Sequence, residues 1–235
     1  MFERYEGHLL ATEAGVEMVS RAEKIEFEIQ AAGDSIAGTD GKVAGNVRIT
    51  SVAWIINRVL APLLPEFLAL HRNLHVEMNA DTADLSLMRR EADIALRLTR
   101  PRKEMRALAK RIATIGYGVF ASRHVAPESV AWIMYSESMR FLPQSNWISE
   151  IIGRDETKLS QVRVNDAETL LQVIKAGVGK SFLPISLCER DPELVRIDDA
   201  SSAWQRELWM MVHPEQRKLA RVHATMKWLA GNFGE

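Results

Sequence analysis

The chain has 235 residues, and 47% of them are hydrophobic, which is enough to bury a core in one large domain or two small ones. Its formal net charge of −1 at pH 7 argues against a chain that binds nucleic acid or a membrane surface as a whole. The one cysteine excludes an internal disulfide and a zinc site made of several thiolates.

The N-terminal region predicts a hairpin followed by a long helix. Residues 1–10, MFERYEGHLL, have turn residues at Glu6-Gly7, and Thr12 is placed to cap the helix. The apolar stripe of that helix, with a spacing of three or four, is Val16, Val19, Ala22, Ile25, Ile29, Ala32 and Ile36. The stripe can pack on its own domain or pair with a second copy. We favour a dimer, because nothing local covers the stripe.

Strands and helices alternate after a hinge-like break at residues 38–41. Predicted strands cover residues 46–50, 75–78, 92–98, 111–122 (as one or two strands), 131–135, 140–142, 162–164, 181–183, 194–197 and 208–212. Predicted helices cover residues 55–71, 85–90, 146–152 and 219–230. We expect Pro62 and Pro65 to kink or divide the first of them.

The stretch Gln161–Pro184 predicts a strand, a helix and a second strand. Asn165 or Asp166 can cap the helix, and Glu168 follows Asn165 at the spacing of a capping box. Gly177 suits the left-handed conformation that ends a helix. Because open α/β sheets bind ligands where strands end and helices begin, this corner is a candidate site.

Five strings in a consistent order resemble the LysR-type transcriptional regulators. They are Met1–Gly15 with FER and LLATEAG, Gly45–Phe67, Glu91–Arg97 (EADIALR), Val164–Pro184 and Leu208–Trp228. The resemblance implies an α/β fold of two Rossmann-like lobes with a central inter-lobe cleft. This is the type II periplasmic-binding-protein-like arrangement, and a long linker helix would precede it.

The same resemblance implies a division of the chain. Residues 1–11 would be the wing of a winged helix-turn-helix, and residues 12–44 the dimerisation helix and hinge. Residues 45–119 plus 207–235 would form lobe I, and residues 120–206 lobe II. Since Met1 stands where the wing would begin, we expect the recognition helix to be missing. DNA contact would then need a helix-turn-helix that is absent from this chain.

The resemblance also implies that strand ends line an effector site in the cleft. The first-lobe candidates are Ser51, Ala53, Trp54, Asn79, Thr82 and Arg97. Trp54 can stack on an aromatic effector, plug the pocket or pack in the core. Arg97 suits a carboxylate effector or a salt bridge. The second-lobe candidates are Ser122, Gln144, Asn146 and Asn165; Ser122 is alternatively a hinge residue and Asn165 a helix cap.

Several other motifs do not predict chemistry. Gly179-Lys180-Ser181 imitates a phosphate-binding loop, but Ile174 stands where that motif needs glycine, and a strand follows instead of a helix. Cys188 has no evident activating base, and a metal pair of His71 and His75 is disfavoured by the turn between them. We expect no metal, no cofactor and no enzymatic activity.

The sequence therefore predicts the effector-sensing and dimerisation region of a LysR-type regulator. Its partners would be a small-molecule effector, either a carboxylate or an aromatic acid, and a second copy in a homodimer or tetramer. The alternative is a free-standing cytoplasmic solute-binding protein of the same fold. With no signal peptide and no apolar run of about 18 residues, we expect a cytoplasmic protein that does not contact a membrane.

Overall fold

A computed structural model describes part of the N-terminal region and most of the α/β region. The described residues are 2–5, 8–12, 14–15, 17–18, 21–22, 25, 43–80, 92–101, 107–198 and 204–233. The predicted hinge at 38–41, the helix at 85–90 and most of the N-terminal apolar stripe lie outside them. Within them, the hairpin is confirmed, and Gly15 N donates a hydrogen bond to Thr12 Oγ1 at 3.2 Å, as expected of a helix cap.

The α/β region follows the N-terminal hairpin and contains both strands and helices. The strands of the described residues are β1 (Phe2–Tyr5), β2 (His8–Ala11), β3 (Ala44–Ser51), β4 (Asn73–Ala80), β5 (Ile94–Arg97), β6 (Leu108–Ser122), β7 (Trp132–Tyr135), β8 (Leu159–Val164), β9 (Ser181–Pro184), β10 (Leu194–Arg196) and β11 (Gln205–Val212). The helices are α1 (Ala53–Leu70), α2 (Pro143–Ile152), α3 (Ala167–Lys175), α4 (Ile185–Cys188) and α5 (Ala220–Phe233). Single 3₁₀ turns occur at Glu137–Met139, Glu156–Lys158 and Gln216–Lys218.

Helix α1 is irregular, but its prolines do not divide it. A first α-helical turn, Ala53–Ile55, leads into a π-helical segment, Ile56–Leu60, and then into the α-helix Ala61–Leu70. Pro62 and Pro65 both lie in that last segment, and each removes a backbone N–H donor from the continuous helix. The irregularity therefore lies ahead of the prolines, as a widened π-helical turn.

Helix α1 is also more apolar than the sequence analysis recognised. Its mean hydropathy is 1.4 over 18 residues, so by length and composition it could cross a membrane. The expectation that no such run exists was wrong. Core helices of globular domains meet the same criterion, and α1 buries Trp54, Ile55, Leu60 and Phe67 in the core of the first lobe.

Strand β6 joins the two lobes. The strand order is β10-β6-β11-β5-β3-β4, with β9 also paired to β6. Residues 108–116 of β6 pair antiparallel with β11 in the first lobe, and residues 117–122 pair with β9 and β10 in the second. In the first lobe β3 pairs parallel with both β4 and β5. Because one continuous strand serves both sheets, the lobes share a backbone element at their junction.

The second lobe extends this sheet through β7 and β8. Ile133 N donates to Lys180 O, and Lys180 N donates to Ala131 O, both at 2.9 Å, which joins β7 to the start of β9. The strand predicted at 140–142 was wrong: these residues follow a 3₁₀ turn and lead directly into α2. Pro143 explains the error. A proline restricts the residue before it to an extended backbone, so Leu142 is extended although it belongs to no strand.

The second connection between the lobes is fixed by Asp198. Its Oδ1 accepts hydrogen bonds at 2.8 Å from Val119 N on β6 and from Arg196 Nε, and its Oδ2 accepts from Arg196 Nη2 at 2.8 Å. Burial disfavours the carboxylate, but Arg196 and the Val119 amide outweigh this effect and hold the Asp198 pKa below its usual range. The segment after β10 is therefore attached to β6 beside the junction.

The Gly179-Lys180-Ser181 motif has a packing role. Gly177 ends α3 with φ of 79°, as predicted. A Cβ on Gly179 would lie 2.6 Å from Ala131 O and 2.7 Å from Ile133 Cγ1. Glycine is required at this position because β7 packs directly against its backbone.

We expect Gly179→Ala to lower the free energy of unfolding by about 2 kcal/mol, because the methyl group must displace β7. Gly231→Ala in α5 is the matched control: a Cβ there meets nothing within 4 Å, so stability should be unchanged or slightly higher. Urea denaturation of both variants measures the difference, and equal stabilities would contradict the packing role.

Candidate functional site

A cavity of about 490 Å³ lies between the lobes. Its first-lobe wall includes Val52, Ala53, Trp54, Ala80, Arg97, Leu98, Thr99, Arg100, Pro101 and Met211. Its second-lobe wall includes Tyr135, Met139, Phe141, Leu142, Pro143, Gln144, Asn165, Asp166 and Ala167. Tyr117 of β6 and Arg206, at the start of β11, complete the lining. This size and mixed apolar and polar lining are typical of small-molecule sites.

Three helices begin at the cavity. Helix α1 starts after Val52, α2 after Leu142 and α3 after Asp166, and all three residues line the cavity. Only α3 has a side-chain cap, since Asp166 Oδ1 accepts from Thr169 N at 2.9 Å. The first amides of a helix have no partner within it, and the helix dipole is positive at that end. The uncapped starts of α1 and α2 therefore favour an anion.

Arg206 carries a buried positive charge at the cavity. It is 8% exposed, and it donates from Nη1 to Gln144 Oε1 at 3.3 Å and from Nη2 to Leu98 O and Thr99 Oγ1, both at 3.2 Å. These acceptors are neutral, and Arg206 Nε has no hydrogen-bond partner. Among the residues that the structure describes, no carboxylate lies within ion-pair distance of this guanidinium. A buried charge without a counter-charge is strongly unfavourable.

The tyrosines of the cavity do not supply that counter-charge. Burial raises the pKa of Tyr117, and attraction to Arg206 opposes this effect without overcoming it. Burial, reinforced by Tyr117, likewise raises the pKa of Tyr135. Both phenols are therefore neutral near pH 7. The two phenols beside Arg206 therefore add no negative charge to the cavity.

Arg97 adds a second buried guanidinium to the same lining. Its Nη1 donates to Leu96 O at 3.1 Å, and its Nη2 donates to Thr50 Oγ1 at 3.3 Å. Arg100 also lines the cavity, with its guanidinium carbon 5.4 Å from the ring centroid of Trp209. Asp166 is the acidic side chain among the lining residues, and it is engaged in capping α3. The electrostatics of the described lining are therefore positive.

The cavity brings together five of the predicted site residues: Ala53, Trp54, Arg97, Gln144 and Asn165. Trp54 packs in the first-lobe core, as one of its alternatives expected, and it also lines the cavity; its contact with an effector stays a prediction. Asn165 lines the cavity, whereas its neighbour Asp166 is the helix cap.

Four other candidates among the described residues, Ser51, Asn79, Ser122 and Asn146, do not line the cavity. Ser51 is buried and donates to Leu96 O at 3.2 Å, and Asn79 is exposed and donates to Glu77 Oε1 at 3.2 Å. Ser122 is buried at the end of β6, and Asn146 is exposed on α2. Thr82 lies outside the described residues.

Arg206, Tyr117, Tyr135 and Phe141 are cavity residues that the sequence analysis missed. A signal for Arg206 was present: it occupies a buried position of β11, in the same alternation as Leu208 and Met210. An arginine in the buried phase of a strand indicates a function or a specific partner.

Other chemistries have little support in the described part of the chain. No group of three or more His, Cys, Asp or Glu side chains there could hold a metal ion. Burial raises the pKa of the Cys188 thiol to about 12, so it is protonated and unreactive.

Comparison with known proteins gives consistent matches. The family model described as LysR substrate binding domain matches residues 40–234. Among curated relatives, the Mau operon transcriptional activator of Paracoccus denitrificans is 24% identical over 191 residues, covering 81% of this chain and 66% of the relative. The regulator CfxR of Cupriavidus necator is 26% identical over 236 residues, covering 94% of this chain and 73% of the relative.

Solved structures show the same fold. CrgA of Neisseria meningitidis, a LysR-type transcriptional regulator, has a TM-score of 0.69 at 19% identity, with 100% of this chain and 84% of that chain covered. Full-length CbnR in complex with its target DNA has a TM-score of 0.68 at 18% identity, with 96% and 84% covered. The predicted two-lobed fold class is confirmed.

Proposed function

The chain belongs to the LysR substrate-binding-domain family and carries the effector-binding domain of a LysR-type transcriptional regulator, and on that premise we propose that it senses a small organic anion. The anion binds between the lobes and shifts their relative arrangement. The linker helix transmits that shift to DNA-binding modules. Such coupling requires only different affinities for two arrangements, typically about 1–3 kcal/mol.

The observation that carries this proposal is the buried charge of Arg206 between the lobes. Its hydrogen bonds extend to Leu98 and Thr99 in the first lobe and to Gln144 in the second. A carboxylate in the adjacent cavity would provide the missing counter-charge and would interact with groups of both lobes at once. Arg97 and the uncapped starts of α1 and α2 would support the same anionic group.

The mouth of the cavity suggests what the rest of the effector is like. Phe141 lines the cavity yet is 71% exposed, whereas Arg97 and Arg206 are buried in the floor. Met139 and Pro143 flank Phe141 on the same wall. An effector whose acid lies at the floor would therefore direct an apolar body toward Phe141. Of the two predicted classes, this favours an aromatic acid over a small aliphatic carboxylate.

The remaining parts of the proposal concern the whole protein. The chain spans 66% of the first relative's length and 73% of CfxR, and it would act in the cytoplasm as part of a dimer that contacts DNA through a helix-turn-helix. A dimer would form through the helix that begins after Thr12. A free-standing solute-binding protein would contain the same cavity, but the family match and the regulators among the relatives support a regulator.

We expect carboxylates to stabilise the protein through Arg206. At constant ionic strength, benzoate should raise the melting temperature more than chloride does, and Arg206→Gln should weaken benzoate binding about 10- to 100-fold. Arg111→Gln, which removes an exposed arginine paired with Glu207, is the control and should bind like the wild type. Isothermal titration calorimetry gives the affinities. The proposal fails if no mono- or dicarboxylate binds, or if Arg206→Gln has no effect.

We expect Phe141 to select for a ring. Phe141→Ala should reduce the ratio of benzoate to acetate affinity about 3- to 10-fold, because the apolar contact at the mouth is lost. Ile151→Ala removes a comparable apolar side chain, 47% exposed on α2 and outside the lining, and should leave the ratio unchanged. Competition calorimetry with both acids measures the ratio of the two affinities. An unchanged ratio in Phe141→Ala would show that Phe141 is not part of the effector site.

We expect the N-terminal helix to mediate dimerisation. Ile25, which belongs to its apolar stripe, is 59% exposed within the single chain. Ile25→Glu should raise the dimer dissociation constant by more than about tenfold, because a charge would enter an apolar helix interface. Ile151→Glu is the control for adding an acid at an exposed isoleucine. Sedimentation velocity over a concentration series measures the dimer dissociation constants. If Ile25→Glu dimerises as tightly as the wild type, the solute-binding alternative is favoured.

A further inference from the structure

An ion pair joins the lobes beside the cavity. Arg58, in the π-helical segment of α1, donates from Nε to Glu168 Oε1 at 3.1 Å and from Nη2 to Glu168 Oε2 at 3.0 Å. Glu168 belongs to α3 of the second lobe, and its side chain is 17% exposed. Two parallel hydrogen bonds between planar charged groups fix both distance and orientation, which a single contact does not.

This ion pair lies directly behind two cavity walls. Trp54 precedes Arg58 by one helical turn on α1, and Ala167 immediately precedes Glu168 on α3; both line the cavity. Ala167 and Leu187 pack against the apolar cores of both lobes, so the lobes are in direct contact here. The distance between the starts of α1 and α3 is therefore set at this contact.

Glu168 is available for this contact because it has no role in capping its own helix. The sequence suggested a capping box that starts at Asn165, but Asp166 is the cap and receives the hydrogen bond of Thr169 N. Glu168 consequently lies in the first turn of α3, where the helix dipole favours its negative charge. From there it extends across the lobe boundary to Arg58.

We propose that Arg58 and Glu168 are positioning residues whose ion pair holds the lobes in the arrangement that encloses Arg206, and that they thereby set the affinity for the effector. This rests on the proposed function. The apparent affinity of a ligand falls with the fraction of protein in the competent arrangement. A partly exposed bidentate pair shifts such an equilibrium only modestly, so loss of the pair weakens binding about 3- to 10-fold.

The test is a charge exchange measured in two ways. Arg58→Glu and Glu168→Arg should each weaken benzoate binding about 3- to 10-fold and raise the radius of gyration of the free protein, because like charges now face each other across the lobes. The double variant should restore both quantities. Exchange of the exposed first-lobe pair Arg111 and Glu207 is the control and should change neither.

Two outcomes overturn the inference: single variants that bind and scatter X-rays like the wild type, or a folded double variant that restores neither property. If a charge reversal prevents folding, Glu168→Gln replaces it and should change both quantities in the same direction. If the wild type binds no carboxylate, the proposed function fails, but small-angle scattering of the free variants still decides whether the ion pair holds the lobes together.

Discussion

The buried guanidinium of Arg206 is the constraint on which the chemistry of the cavity depends. Desolvation makes an isolated charge unfavourable, and the neighbouring groups reduce that cost only with neutral acceptors. The starts of α1 and α2 add further positive potential. The tyrosines that flank it are kept neutral by the same burial. The described lining of the cavity is therefore positive, and the anion that we propose for it would interact with groups of both lobes at once.

Backbone geometry explains why ligand binding at this position could affect the whole domain. Strand β6 pairs with β11 in the first lobe and with β9 and β10 in the second, while Asp198 attaches the return connection to β6. The lobes therefore share a junction, and they also touch at Ala167 and at the ion pair of Arg58 with Glu168. A domain with a fixed junction and a modest contact beside its cleft can change the angle between its lobes at low cost. The proposed response to an effector depends on such a change of angle.

The apolar part of the cavity gives the site its second property. Trp54 lies between the first-lobe core and the cavity, and Phe141 stands exposed at the mouth of the opposite wall. If the site binds an acid as proposed, the buried arginines would hold its carboxylate and Phe141 would contact its apolar part, so that part would determine the selectivity. Membership of the LysR substrate-binding-domain family does not determine such selectivity, which would depend on side chains of this chain.

Local patterns in the sequence determined most of the elements, because caps, glycine stops and apolar periodicity act over a few residues. The hairpin, the Thr12 cap, the Gly177 stop and nearly all strands of the described residues followed from them. Local patterns failed at residues 140–142, where the extended residue before Pro143 was mistaken for a strand, and they did not predict the π-helical turn in α1. Half of the predicted site residues line the cavity, since strand ends converge there. Tertiary structure alone placed Arg206 against Gln144 and joined Glu168 to Arg58, because strand register and lobe packing bring together residues distant in sequence.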